Sequence, residues 1–230
     1  MNLVVPFHVA VIADGNRRWA DEHKLATRSE GHVKGVEALR VVVDTLRARG
    51  VKIVTAWTFS TENWNRPKEE VAKLISLLRR YLKEEGVKFV KERARFRVLG
   101  DRSRFDADLQ KLMTELEAQT AGFDDFTFNM AMNYGGRDEL VRAVKKIIAD
   151  GRRADEINKE LVASYLDTAG QPDPDLIIRT SGEQRLSGFM PWQQEYAELY
   201  FAPWHFPDFT EARVDEILAD FAKRERRKGK

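Results

Sequence analysis

The sequence predicts an α/β protein with a mostly parallel central sheet of about six strands surrounded by helices. Three observations point there. Short apolar or β-branched runs recur at Val9 to Ala13, residues 51 to 59, Phe96 to Leu99, Phe126 to Met132 and Asp175 to Ile178, each of strand length. Several of them stop at a polar turn that carries glycine or arginine, as at Asp14-Gly15-Asn16, Asn133-Tyr134-Gly135-Gly136 and Arg179-Thr180-Ser181-Gly182. Between them lie segments with apolar residues at helical spacing. Strands alternating with helices favour a parallel sheet whose ligands bind at the carboxyl ends of the strands.

The first strand ends in Asp14, Gly15 and Asn16, with Arg17, Arg18 and Trp19 behind them. A carboxylate leaving a strand end beside two guanidinium groups suits a metal-bound phosphate ester, since Asp14 can hold Mg2+ while the arginines and loop amides hold phosphate oxygens. The alternative is an ordinary turn in which Asp14 caps the next helix, and these residues alone do not separate the two. Thr27-x-x-Glu30 has the form of a capping box, followed by Val33, Val36, Leu39, Val43 and Leu46 on one face and Gly50 at the end. That puts Arg28 and His32 in the first turns, where the helix also favours an anion.

The second strand runs into Ser60-Thr61-Glu62-Asn63-Trp64-Asn65-Arg66. Trp64 in that loop is either a substrate contact or a ring that pins the loop. Pro67 opens a long helix with Glu69 and Glu70 in its first turn and an apolar face of Val71, Leu74, Ile75, Leu78 and Leu82. Such a face is core or the wall of an apolar cavity. Phe105 to Thr120 reads as a charged helix, residues 138 to 149 as another, and residues 151 to 174 as a weak helix between loops. After the strand ending at Ile178, Arg179 and Arg185 flank small hydroxyl residues and a glycine, with Ser187 just beyond, either a second phosphate cradle or a solvated loop with an Arg and Glu ion pair. Phe189 to Phe201 is aromatic-rich, and Glu198 inside it stands out because carboxylates avoid apolar settings unless paired or metal-bound. The chain closes on the basic run Lys223 to Lys230.

At 230 residues one domain spanning 1–230 is expected. No apolar run approaches the roughly 20 residues of a spanning helix, and no leader peptide is apparent, so a cytoplasmic chain is expected. The absence of cysteine excludes disulfides, thiolate metal sites and cysteine nucleophiles. A net charge of +2 argues against nucleic acid as a partner.

Taken together, HVAVIADGNRRW at 8–19, RSEGHVKG at 28–35, FSTENWNRP at 59–67, NYGGR at 133–137 and RTSGEQRLSGFMPWQQEYAELYF at 179–201 resemble the cis-prenyltransferases of the undecaprenyl diphosphate synthase type. The resemblance implies an apolar tunnel and Mg2+-dependent head-to-tail condensation of isopentenyl diphosphate onto an allylic diphosphate, farnesyl or geranylgeranyl diphosphate, giving a Z-polyprenyl diphosphate. It implies Asp14 and Asn63 as catalytic residues and Asp14 and Glu198 as metal ligands. Gly15, Asn16, Arg17, Arg18, Trp19, Arg28 and His32 would hold the allylic diphosphate. Ser60, Asn63, Trp64, Arg66, Arg179, Arg185 and Ser187 would hold isopentenyl diphosphate and form the closing loop. A homodimer is implied, with Arg227 and Gly229 reaching the partner's site, and peripheral membrane contact through the lipid product or the basic tail. The Asp-Asp-x-x-Asp motif of the trans-prenyltransferases is absent, Asp124-Asp125 being followed by Phe126, Thr127 and Phe128. Arg17 stands where many bacterial members have glycine. Gly188 and Pro191 replace a common asparagine and leucine, which would reshape the helix expected to bear Glu198. A short-chain Z-prenyl diphosphate synthase and a non-catalytic partner subunit are the alternatives.

Overall fold

The computed structural model describes residues 4–226. Six parallel strands make one sheet in the order β3-β4-β2-β1-β5-β6: β1 (His8–Ile12), β2 (Ile53–Ser60), β3 (Ala94–Leu99), β4 (Phe126–Tyr134), β5 (Leu176–Arg179) and β6 (Glu198–Phe201). The helices are α1 (Asn16–Glu22), α2 (Arg28–Ala48), α3 (Lys68–Lys91), α4 (Ala107–Thr120), α5 (Gly136–Ala149), α6 (Lys159–Ser164) and α7 (Glu211–Phe221). Parallel strands need covered faces, which is why β1 reads as an unbroken apolar run and is buried throughout.

Side-chain alternation sorts β1 between two cores. Val9 and Val11 point into a large cluster with α2, α3, α4 and α7, while Ala10 and Ile12 join Ile177, Tyr134, Phe189 and Met190 on the other face. α2 starts from the expected capping box, Thr27 N–H donating to Glu30 at 2.8 Å. α3 presents Val71, Leu74, Leu78 and Leu82 to the large core.

Several elements differ from expectation. α4 begins at Ala107 because Asp106 caps it, accepting from Leu109 N–H at 3.0 Å, and Phe105 is left as a core residue before it. β4 runs on to Tyr134, and α6 starts at an Asn158 cap. The stretch 189–201 holds no helix: after a series of turns it ends in β6, so Glu198 opens a strand. That edge strand is short and follows polar residues, which hides its period in the sequence.

Candidate active site

β1 lies between β2 and β5, so its carboxyl end is flanked by the ends of both. Asp14 sits in that position. Its backbone is gripped by Thr180, whose hydroxyl accepts from Asp14 N–H at 3.1 Å and donates to Asp14 C=O at 2.6 Å, and by Phe206 N–H at 3.0 Å from the same oxygen. Gly15, not Asp14, occupies the cap position of α1 with φ +98°. Behind it the Ser181 hydroxyl and His205 Nδ1 are 2.6 Å apart, and a Cβ on Gly15 would come within 2.5 Å of both, so both the backbone angle and the space demand glycine. The capped-turn alternative for Asp14 is thereby set aside. Its carboxylate instead accepts from Arg179 Nη2 at 2.9 Å and from Arg18 Nη2 at 3.2 Å.

Arg179 is buried and ties two segments together. Besides Asp14 it donates to the Arg185 carbonyl and to Ser187 Oγ at 2.8 Å, while its Nε is buried without a hydrogen-bond partner among the described residues. The Arg185 side chain itself is exposed and paired with Glu183, which also takes Arg18 at 2.9 Å. Arg185 therefore contributes a carbonyl here rather than its charge.

A cavity of about 400 Å³ opens over this strand end, lined by Asp14, Gly15, Asn16, Arg17, Arg18, Asp21, Arg28, His32 and Arg66. Four guanidinium groups face two carboxylates, a surplus of positive charge suited to a polyanion. Arg28 pairs with Asp21 at 2.9 Å. Arg66 pairs with Glu70 at 3.0 Å and burial lowers its pKa; Arg17 lies 3.7 Å from the same carboxylate. His32 Nε2 is 3.6 Å from Glu70, beyond hydrogen-bond reach, and is buried without a hydrogen-bond partner. Burial first, then the Arg66 charge, lower the His32 pKa to about 4, so the ring is neutral at pH 7. α2 can approach this closely because Gly31 and Gly35 lie against Asn16, whose carboxamide oxygen is buried without a partner.

A second cavity of about 200 Å³ shares Asp14, Asn16, His32 and Arg66 with the first and adds Ser60, Asn63, Trp57 and Arg179. Ser60 and Asn63 cap each other at the end of β2, Ser60 N–H donating to Asn63 Oδ1 at 3.1 Å. A third, apolar space of about 60 Å³ between α2 and α3 is walled by Val36, Leu39, Leu74, Leu77, Leu78, Tyr81 and Met130, and again reaches Ala13, Asn16 and His32. The apolar helix face foreseen in α3 is thus both core and cavity wall.

Other expected site residues go elsewhere. Trp19 donates its indole N–H to Asp208 at 2.8 Å and stacks on His23, outside the cavity linings. Trp64 donates to Asn133 Oδ1 at 2.8 Å and packs on Phe59 and Phe105, which makes it the pin of the loop. Glu198 is level with Leu176 and hence with Val9, roughly 16 Å short of Asp14 along the strand direction, and its carboxylate pairs with Arg224 at 3.0 Å. The structure does not bring it to Asp14 within one chain. Arg227 and Gly229 lie outside the described residues. Gly188, at φ +84°, gives its carbonyl to Gly136 N–H at 3.0 Å, and Pro191 packs on Gly136. Asp21 and His205 carry no signal in the sequence; Thr180 and Ser181 appear there only as hydroxyl residues of the second cradle, and Glu70 only by its place on a helix start, four residues from Arg66.

Comparison with known proteins agrees with this geometry. Residues 12–229 match the prenyltransferase family model described as "Putative undecaprenyl diphosphate synthase". An isoprenyl transferase of Rhizobium meliloti is 47% identical over 229 residues, covering 98% of this chain and 92% of that protein. The (2E,6E)-farnesyl-diphosphate-specific ditrans,polycis-undecaprenyl-diphosphate synthase of Pseudomonas aeruginosa is 44% identical, covering 100% of this chain and 92% of its own. The crystal structure of lavandulyl diphosphate synthase from Lavandula x intermedia, in complex with dimethylallyl diphosphate, superposes with a TM-score of 0.93 at 36% identity, over 98% of this chain and 99% of that one. The chain belongs to the undecaprenyl diphosphate synthase family and is an isoprenyl transferase.

Proposed function

We propose that the protein condenses isopentenyl diphosphate head-to-tail onto an allylic diphosphate with Mg2+, forming a Z-prenyl diphosphate. The observation that carries this is the meeting of three spaces at one strand end: a cationic cavity, a smaller cavity holding Arg179, Ser60 and Asn63, and an apolar cleft, all in contact with Ala13, Asn16 and His32 or joined through Asp14. The allylic diphosphate lies against Gly15, Asn16, Arg17, Arg18, Arg28 and His32, with its hydrocarbon running between α2 and α3. Isopentenyl diphosphate takes the side of Arg179, Ser187 and the Ser60–Arg66 loop.

The donor set fits Mg2+ in one way. Among the described residues no three carboxylate or imidazole groups cluster to form a protein cage, but Asp14 offers one accessible carboxylate beside a diphosphate site, the pattern in which substrate phosphates and water complete the sphere. When bound, the ion neutralises charge on the departing diphosphate. The arginines act in the same direction: they stabilise negative charge as the allylic C–O bond breaks and its electron pair leaves with the diphosphate. The double bond of isopentenyl diphosphate then attacks the allylic carbon, and the C2 proton passes to the released diphosphate as the new double bond forms. Neutral His32 donates one hydrogen bond without adding a buried charge. The α2–α3 cleft keeps water from the cation.

The apolar space holds roughly four water-sized groups, about one isoprene unit, so α2 and α3 must spread to admit the hydrocarbon of a farnesyl starter as well as of any product. On α5, Val141, Val144 and Ile148 form an exposed apolar stripe, 51%, 52% and 70% accessible, which supports a homodimer that buries it. Among the described residues no helix is long and apolar enough to cross a membrane; contact through the lipid product would be peripheral, on the cytoplasmic side.

The purified chain is expected to elongate farnesyl diphosphate with isopentenyl diphosphate in Mg2+ and to stop on chelation by EDTA. Product length by thin-layer analysis separates a polyprenyl from a short-chain synthase. Absence of any condensation by the purified chain would favour the non-catalytic partner subunit.

A further inference from the structure

Behind the loop that carries Ser187 is a carboxylate with no part in the chemistry above. Glu139, in the first turn of α5, is 1% exposed, and burial pushes its pKa up. Its Oε2 accepts from the Tyr134 hydroxyl at 2.6 Å, its Oε1 from Asp167 N–H at 3.0 Å, and Gln193 Nε2 lies 3.2 and 3.4 Å from the two oxygens. All of these are neutral donors. The neighbouring Arg142 is spent on Asp167, in a bidentate pair of 2.7 and 2.6 Å. An acceptor-only group answers three donors here, and the amino end of α5 favours its charge.

None of these donors lines the second cavity, but Tyr134 and the loop that carries Gln193 back its wall residue Trp57. Gln193 closes the same loop as Ser187, and between them Phe189 stacks on Trp57, centroids 5.0 Å apart, while Gly188 and Pro191 are seated on Gly136. Tyr134 holds Trp57 in turn, its carbonyl accepting the indole N–H at 3.1 Å. Trp57 and Arg179 both line the cavity, and Arg179 donates to Ser187.

We propose that Glu139 is a positioning residue for isopentenyl diphosphate: through Gln193 and Tyr134 it fixes the 187–193 loop and Trp57, and so keeps Ser187 and Arg179 in register with the substrate. This rests on the reading that Arg179 and Ser187 take that diphosphate. Arg17 and Arg28 make none of these contacts, and the link to Arg18 runs only through Asp14, so the effect falls chiefly on one substrate.

The test is steady-state kinetics with isopentenyl and farnesyl diphosphates. Glu139→Gln keeps the shape but sets an amide NH2 among three donors, and should raise KM for isopentenyl diphosphate about tenfold, with KM for farnesyl diphosphate within about twofold. The exchanged pair Glu139→Gln with Gln193→Glu restores one carboxylate and one carboxamide, and should return KM to within about threefold of the parent. Tyr134→Phe removes a single donor and should give a smaller rise in the same constant, which keeps the test open if Glu139→Gln folds poorly. Ser187→Ala is the control for the underlying reading. Should it leave the isopentenyl KM unchanged, that reading falls and the proposal with it. If Ser187→Ala raises this KM while Glu139→Gln and Tyr134→Phe only lower the melting temperature, or raise both KM values alike, Glu139 is a packing residue and the proposal alone is overturned.

Discussion

Two buried histidines occupy opposite ends of the sheet, and the difference between them separates what holds the fold from what serves the site. His8 opens β1 and is 0% exposed; His32 lies in α2 over the other end. Burial brings both pKa values down to about 4, so both are neutral at pH 7. His8 uses both ring nitrogens, Nδ1 2.8 Å from the Pro172 carbonyl and Nε2 2.8 Å from Thr55 Oγ1, and Thr55 continues to Asn129 and Gln171. His32 Nε2 has no hydrogen-bond partner, like Asn16 Oδ1 and Arg179 Nε nearby. Buried polar groups normally find partners within the chain. Under the proposed function, the His32 and Arg179 nitrogens can find theirs in the substrate diphosphates.

The largest effect should come from the group where the two kinds of role meet. Asp14 is held by its backbone as firmly as His8 is held by its ring, yet its carboxylate faces the cavities. Removing it altogether would leave buried Arg179 short of an acceptor, so Asp14→Asn is the cleaner change. We expect kcat to fall about a thousandfold with the melting temperature nearly unchanged. A fall in stability without a fall in kcat would move Asp14 to the structural side of the comparison.

Next in size is the pH dependence carried by His8. Its folded pKa is below the unfolded value, so between pH 6.5 and about 4 the unfolded chain binds a proton that the folded chain refuses. Stability therefore falls as pH drops through that window and levels off below it, by about 3 kcal/mol from this residue. Urea unfolding at pH 7 and pH 4 measures it. His8→Asn should be less stable at pH 7, because Thr55 and Pro172 lose a partner, and should show a shallower decline toward pH 4. An unchanged slope would mean that the ring already titrates in the folded chain.

The same contrast explains how much was legible in the sequence. The runs at 9–13 and 51–59 and the capping box at Thr27 announced the strands and α2, because local period and capping chemistry decide them. Asp14, Arg18, Arg28, His32 and Arg66 stood out since each falls at an element end, and the structure places them around one cavity. Trp19, Trp64 and Arg185 show what residue type leaves out: it says that a group can bind, not that its indole N–H or guanidinium is engaged by Asp208, Asn133 or Glu183. Those partners come from distant segments or from loop geometry, and no local pattern encodes them. Glu198 opens β6 level with Leu176, away from Asp14 within one chain, because the register of β6 on β5, which no local pattern shows, decides which end of the sheet it meets.

The smallest expected effect is the sharpest test of the comparison. His32→Asn removes a ring whose Nε2 makes no hydrogen bond among the described residues, with Glu70 3.6 Å away, so folding should lose little: a melting temperature within about 2 °C, a shift worth at most about 1 kcal/mol for a chain of this size. Binding of the allylic diphosphate should weaken about tenfold, one charge-assisted hydrogen bond, read as a rise in its Kd by calorimetry with KM for isopentenyl diphosphate unchanged. The second readout matters because Glu70 answers Arg66 and Arg17 as well, and a general collapse of that ion-pair cluster would disturb both substrates. If His32→Asn instead destabilises the chain as His8→Asn does, its free nitrogen is not reserved for a ligand and the two ends of the sheet differ less than their hydrogen bonds imply.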